Sequence, residues 1–549
     1  MSRFHLTIFP ISIILTAVMS VIAWFLSGQP PLVGIDDAAI TRSYSENIAN
    51  GHGFVYNIGG ERVEGATSFL WTLIVSLAYL LPFKVELTII AINYVITVFA
   101  VTFSLWTGAS IARHFSISRK VLTGLLIAIY ISMPGYFMWS VVSMMEIAIW
   151  SAAISFLVWR IVRHLDATPP ARWLDGGLLF GGLVLPLIRP EGVAIAVGLL
   201  ALALILAPRR PLPPLIAIGA ALASLAALVL FRLSYFGYPF PNTYYAKVSS
   251  DRVQDIVDGL KYLVSFLNQQ PFADFYVLCW AGLVVLAIAN LVRRSRTNTA
   301  SLLVVAATVF GMLSIYAVLG GDHFAQWRFY QPLLPLFAIG PALLVLLGFD
   351  LIRPYLASSF AIFAALSASF LMLLGCSWLP FYQARFEVQV EYILTYQGEE
   401  FGEYLNTVTP LPRLGVVAAG GIALSYEGWL LDLMGLNWTR MAHANPVKVG
   451  YRNHASFDKG VFWDETPDLI ANYTSGICQK TDWIEPNAAE GPLKGLIADT
   501  DFQKSFLPVR LWADEENCWN GFAKREWLDI LDDSRIERVP WSDLLLYSY

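Results

Sequence analysis

Charge is what this sequence has least of. Asp, Glu, Lys and Arg make up 14% of its 549 residues, against 56% hydrophobic residues. A soluble domain carries about a quarter charged residues, so a wholly soluble chain is excluded. The net charge is −5 with no basic stripe, which argues against a nucleic-acid partner. No small-residue cleavage site follows the apolar run at about 7–26, so that run reads as an uncleaved anchor rather than a secretory signal. Repeats, low-complexity tracts, an HExxH pair and GxGxxG spacing are all missing. There are four cysteines. Cys279 and Cys376 sit in apolar runs, as packing residues would. Cys478 and Cys518 sit in the polar last third, where an oxidising compartment would permit one disulfide.

Long apolar runs are what the sequence has instead, with a mean hydropathy of +0.58. Runs able to cross about 30 Å of hydrocarbon fall near 7–27, 86–112, 119–136, 145–163, 174–188, 190–207, 213–236, 272–293, 300–319, 332–353 and 355–380. The run 68–83 is treated as an interfacial helix on the outer leaflet. The short basic connections at 113–120, 160–172, 209–210, 293–296 and 353 then all fall inside, as the positive-inside rule requires. The expectation is a polytopic α-helical membrane protein of about 11 spans, with the N-terminus in and the C-terminus out. Residues 1–380 form the membrane domain, with a periplasmic loop and interfacial helices at 28–85. Residues 381–549 form a small periplasmic domain. Its stretch LPRLGVVAAGGIALSY reads as a buried strand, a glycine turn and a helix start, hence α/β. The Gly-Gly is a weak signal for phosphate binding.

This topology gathers the polar motifs on one external face. The first is GIDDAAITRSYSENIANGHGFVYNIGGERVEGATSFLW at 34–71. Asp36 and Asp37 precede a helical stretch at 38–50 with Ile40, Tyr44 and Ile48 on one stripe and Arg42 and Glu46 on another. One acid could serve as an N-cap. A partly desolvated carboxylate there could also take a proton from an attacking hydroxyl. Arg62 and Glu64 read either as a local surface pair or as substrate contacts. Arg189-Pro190-Glu191-Gly192 interrupts apolar sequence, and charges there must pair or face an aqueous cavity. Arg189 is therefore either half of an ion pair with Glu191 or a holder of an anionic head group. PNTYYAK (241–247) supplies Asn242, Tyr245 and Lys247. GGDHFAQWRFYQP (320–332) supplies Asp322, His323 and Arg328. A divalent cation on Asp36, Asp37, Asp322 and His323 is conceivable, but no ligand spacing supports it, so no metal site is assigned.

These segments, in this order, together with SYEGWLLDLMGLNW at 425–438, resemble the GT-C membrane glycosyltransferases of the AftB/TfpW-like arabinofuranosyltransferase group. The likeness runs from the first span to about residue 440. Ala66 departs from the group's usual aromatic after EG, and Trp438 from its frequent acid after GLN. The resemblance implies transfer of a sugar, arabinofuranose or a related one, from a decaprenyl- or undecaprenyl-phosphate donor on the periplasmic side of the bacterial inner membrane. The acceptor would be a cell-envelope polysaccharide or a protein such as a pilin. Asp36 or Asp37 would be the catalytic carboxylate. Arg189, Lys247, Arg328, His323 and Tyr44 would attend the donor phosphate. Arg62, Glu64, Glu191, Asn242, Tyr245 and Asp322 would contact substrate. The rival expectation is a flippase for a lipid-linked sugar, which would need a polar path that the inner halves of the spans do not offer.

Overall fold

In a computed structural model, the described residues are 3–167, 174–248, 251–293, 299–352, 359–444, 456–472, 491–515 and 517–543. The chain forms two compact units. The first comprises Met1–Pro30, Leu87–Leu228 and Val253–Gln389, and the second Pro31–Glu86, Val229–Arg252 and Val390–Tyr549. Neither is a single run of sequence.

Among the described residues, eight helices are long and apolar enough to cross a membrane, or nine if one bent pair counts as a span. The bent pair is Arg119–Ile131 followed by Pro134–Val142, turned through 77°; Pro134, which lacks an N–H, opens the second part. Two further expected spans, 174–188 and 190–207, form the shorter apolar helices Gly176–Ile188 (13 residues) and Gly192–Leu206 (15 residues), separated at the charged break. At ~1.5 Å per residue each is roughly 20 Å long, short of the ~30 Å hydrocarbon core.

The first unit is packed with aromatic residues. Trp150, Trp280, Tyr136, Phe137, Phe266, Phe337 and Tyr316 are fully buried. Its helices turn apolar side chains outward, for example Leu6, Ile14, Val18 and Val21 on Arg3–Leu26, as lipid-facing surfaces do. The proline-containing stretch from Arg328 to Phe337 is irregular, and its carbonyls find side-chain partners. Ser104 Oγ and Tyr130 O–H donate to Pro335 O at 2.7 and 2.9 Å, and Ser151 Oγ donates to Pro332 O at 2.9 Å. Broken helices inside a bilayer require such replacements.

The second unit carries a six-stranded mixed sheet. Its strands are β1 (Leu414–Val416), β2 (Leu430–Asp432), β3 (Leu469–Asn472), β4 (Phe506–Trp512), β5 (Cys518–Lys524) and β6 (Ile536–Arg538), in the order β2-β1-β3-β5-β4-β6. β1 lies between two parallel partners, and the β3–β5, β5–β4 and β4–β6 pairs are antiparallel. From β1 the chain runs to β2 on one side, and from the neighbouring parallel strand β3 it runs to β4 on the other, so the loop after β1 lies at a topological switch point. The expected strand, glycine turn and helix start are present as β1, the turn at Gly420 and a 3-10 turn at Gly421–Leu424. Cys518 is disulfide-bonded; Cys478 lies outside the described residues. Cys279 is free and buried, and Cys376 is free and exposed.

The run 68–83 forms the helix Phe69–Ala78, with Ser68 at its N-cap position. Its ten residues reach about 15 Å, too little to cross. Leu73, Leu77, Leu80, Leu81 and Phe83 are exposed, an apolar surface suited to an interfacial position. A single cysteine placed after Lys84 is therefore expected to react with a membrane-impermeant maleimide from the same side as one placed at position 61. Reaction from opposite sides would overturn the interfacial assignment.

Candidate active site

The helix Asp36–Ala49 begins with Ile35 at its N-cap position. This corrects the capping expectation: neither acid caps the helix, and both lie in its first turn, where the helix dipole favours negative charge. Successive residues on a helix point about 100° apart, so the two carboxylates have different surroundings.

The Asp36 side chain is buried and accepts three contacts from backbone N–H groups: Gly420 N at 3.1 Å to each oxygen and Gly421 N at 2.8 Å. A Cβ on Gly420 would lie 1.8 Å from Asp36 O, and one on Gly421 would lie 2.2 Å from Thr395 O. The loop can close on the acid only with glycine at both places. The Gly-Gly pair therefore grips the protein's own carboxylate, which replaces its reading as a weak phosphate signal. Tyr56 O–H braces the preceding residue through Ala419 O at 2.5 Å. Burial pushes the Asp36 carboxyl up to about 6; the Gly421 and Gly420 hydrogen bonds oppose the shift, and the neighbouring Asp37 charge adds to it. Asp37 is partly exposed, with Lys247 Nζ 3.9 Å from its carboxylate.

The other expected residues of this unit are engaged with protein. Tyr44 is fully buried. Its hydroxyl donates to Asn437 Oδ1 at 3.1 Å and accepts from Gly65 N at 3.1 Å. Asn437 donates in turn to Asp432, from N at 2.8 Å and from Nδ2 at 2.9 Å. Burial raises the Asp432 carboxyl to about 6 as well. A Cβ on Gly65 would lie 1.9 Å from Asn437 Oδ1, so the glycine of VEGATS and the asparagine of GLNW fit each other. Glu64 is not on the surface beside Arg62: it is buried and takes a two-pronged contact from Arg232, Nε at 2.7 Å and Nη2 at 2.8 Å. Arg62 instead lies over the Tyr235 ring, 4.6 Å from its centroid. Asn242 Nδ2 donates to Gly435 O and Leu436 O at 2.8 and 2.9 Å, and Tyr245 stacks on His443 with centroids 4.1 Å apart.

The remaining expected residues belong to the first unit. Arg189 is buried between two carboxylates, Glu191 at 2.6 Å and Glu146, and Tyr316 O–H donates to Glu191 at 3.0 Å. Arg328 is buried, with Nε donating to Asp322 Oδ2 at 2.7 Å and its guanidinium 3.9 Å from the Phe324 ring centroid. His323 Nδ1 lies 3.5 Å from Asp322 Oδ1. Among the described residues, no group of three or more His, Cys, Asp or Glu is arranged to hold a metal ion.

No family model matches the sequence. Over 257 residues the chain is 27% identical to a terminal β-(1→2)-arabinofuranosyltransferase of Mycobacterium tuberculosis; the match covers 46% of this chain and 39% of that protein's length. Its backbone is similar to ArnT from Cupriavidus metallidurans, solved bound to undecaprenyl phosphate, with a TM-score of 0.52 and 13% identity over 92% of this chain and 97% of that one. It is also similar to the oligosaccharyltransferase AglB of Archaeoglobus fulgidus, with a TM-score of 0.50 and 12% identity over 99% and 77%. The chain has the GT-C fold. The residues that the sequence alone did not single out with their partners are Gly420 and Gly421, Asp432 and Asn437, Arg232, and Glu146. The Gly-Gly pair carried a signal, but its partner is 384 positions away.

The Asp36 grip yields a stability test. Its folded-state pKa is above the ordinary 3.8, so the folded chain binds the extra proton, and the stability this group contributes falls as pH rises from about 4 through about 6. Asp36→Asn removes that titration and turns an amide donor or a single acceptor toward two N–H groups, at a cost of about 1–3 kcal/mol. Melting curves should show the wild type's advantage over Asp36→Asn shrinking between pH 4 and pH 6 and then levelling. A pH-independent difference would refute the buried-acid assignment. Gly420→Ala should be more damaging than Asp36→Asn at every pH, because backbone must move.

Proposed function

We propose that this chain is a multi-pass glycosyltransferase of the bacterial inner membrane. It would take arabinofuranose or a related sugar from a decaprenyl- or undecaprenyl-phosphate donor and pass it to a hydroxyl of a cell-envelope glycan on the periplasmic side. Residues 381–549 belong to that side in this reading. Support comes from the likeness to an arabinofuranosyltransferase and from the fold shared with a protein solved bound to undecaprenyl phosphate. The observation that carries the proposal is the unequal acid pair: Asp36 tied down by two backbone N–H groups, and Asp37 partly open beside Lys247.

Asp37 is the reacting carboxylate in this scheme. It accepts the proton of the acceptor hydroxyl as that oxygen bonds to the anomeric carbon. The bond from that carbon to the phosphate oxygen breaks, and its electron pair leaves with polyprenyl phosphate. Lys247 meets the charge gathering on the departing phosphate, a contact stronger in the transition state than in the ground state. Arg189 and Arg328 each already face carboxylate, so in this scheme they compensate charge rather than hold the phosphate. Asp36 positions its neighbour by fixing the first turn of the helix.

The test is release of polyprenyl phosphate by purified protein given a polyprenyl-phosphate arabinofuranose and a glycan acceptor. A flippase would leave the donor intact. Asp37→Asn should stay folded and bind donor, yet lose turnover about 10²–10⁴-fold, the usual worth of a general base. Lys247→Gln should lower turnover more than it weakens donor binding. Near-normal transfer by Asp37→Asn would refute its assignment, and an intact donor with wild-type protein would refute the transferase reading.

A further inference from the structure

The first unit contains a cavity of about 360 Å³, within the ~300–1,000 Å³ range of small-molecule sites. Its wall mixes polar, aromatic and aliphatic groups, includes His323 beside Asp322, and carries no Lys or Arg. Of its carboxylates, Asp322 is engaged by Arg328 at 2.7 Å, and Glu387 is exposed. A phosphate would meet net negative charge there. A neutral hydroxyl-bearing ligand would not be repelled.

The wall also has an unfilled acceptor. Gln331 is fully buried. Its Nε2 donates to the Gln326 carbonyl, which fixes the amide's orientation, while its Oε1 has no hydrogen-bond partner among the described residues. Buried polar atoms left unpaired are rare and call for a partner. Beside it, Gln326 and Trp327 both adopt left-handed backbone, with φ of 60° and 49°. Two successive non-glycine residues in that region are strained, and such strain concentrates at ligand sites. Trp327 Nε1 is held by Ser265 Oγ at 3.1 Å, which anchors the indole edge. Gly135 completes the wall: a Cβ there would lie at ordinary contact distance, 3.5 Å, from Gln326 Oε1 and Gln331 Nε2.

We infer that this cavity binds a neutral sugar ring, with a ring hydroxyl donating to Gln331 Oε1 and the Trp327 indole contributing apolar surface. The inference deepens the glycosyltransferase reading and rests on it for the sugar's source, which is either the donor's sugar or the acceptor glycan. The sugar-binding claim itself is tested without turnover.

Full-length protein in detergent is titrated with a soluble arabinofuranose oligosaccharide and with methyl arabinofuranoside, followed by tryptophan fluorescence and calorimetry. Saturable binding is expected, weakened at least tenfold in Gln331→Met and abolished in Gly135→Leu, whose added side chain fills the space. Inorganic phosphate should not compete. Melting temperatures and gel-filtration profiles of both variants report whether they remain folded. Should one fail to fold, the other decides. In transfer assays, a raised KM for acceptor with unchanged donor KM assigns the cavity to the acceptor glycan, and the reverse assigns it to the donor's sugar. Failure of the wild type to bind either sugar, wild-type affinity in the folded variants, or displacement by phosphate would overturn the inference. Sugar binding without transfer would leave it standing while removing the glycosyltransferase reading.

Discussion

The second unit is organised around one contact, the Asp36 carboxylate on the N–H groups of Gly420 and Gly421. In open sheets the loop following a strand at a switch point is where ligands collect, because backbone N–H groups gather there and strands on either side diverge. Here the loop after β1 has that position, and the group it holds is the chain's own acid. The hydrogen bonds are to a charged acceptor, worth about 1.5–3 kcal/mol each in typical proteins, and they partly offset the cost of burying the carboxylate. Everything adjoining the contact conforms to it: two glycines where no Cβ fits, Tyr56 bracing Ala419, and a hydrophobic cluster joining Ile40, Tyr44 and Tyr56 to Val416, Ala419 and Ile422. The segment after the first span and the segment 384 positions later are thus halves of one local structure.

A different constraint governs the first unit. Charges among apolar helices must be paired, since an unpaired one costs several kcal/mol. Arg189 meets this with Glu146 and Glu191, and Arg328 with Asp322 and the Phe324 face. Both arginines sit where the apolar sequence is interrupted, so each interruption holds a compact ionic group of its own. Such pairs are poor contributors to net stability but costly to break, which suits residues that fix irregular backbone between helices.

Hydropathy made the spans legible, since length and apolarity are the very properties a bilayer selects. It even marked the break at 189–191, because charge in such a run is conspicuous. The interfacial helix followed from charge asymmetry, and its ten residues agree with a segment that does not cross. The pairing of polar groups was far less legible. Arg62 and Glu64 are neighbours in sequence, yet Glu64 turns inward to Arg232 and Arg62 outward to Tyr235. Asp432 and Asn437 lie in the segment 425–438, where no local pattern marks a partner for either. Their role depends on Tyr44, which comes from the far end of the chain. Local periodicity reports which face is buried; it does not report which distant polar group will meet it there.

The manner in which each buried acid is satisfied bears on what its neighbourhood can do. Glu64 and Asp322 face arginine, so their charge is cancelled where it stands. Asp36 is satisfied by backbone dipoles instead, which stabilise an anion without adding a cation. The negative field around the first turn of the Asp36–Ala49 helix therefore persists, and it reaches Asp37 and Lys247 beside it. A sugar departing from phosphate passes through a state with positive charge at its anomeric carbon. In the proposed reaction an acid pair anchored by N–H groups, one member buried and the other partly exposed, would meet that charge and supply Asp37 as the proton acceptor. In that proposal, adjacent acids that look redundant in sequence divide two tasks, one holding the helix turn in place and the other taking the proton.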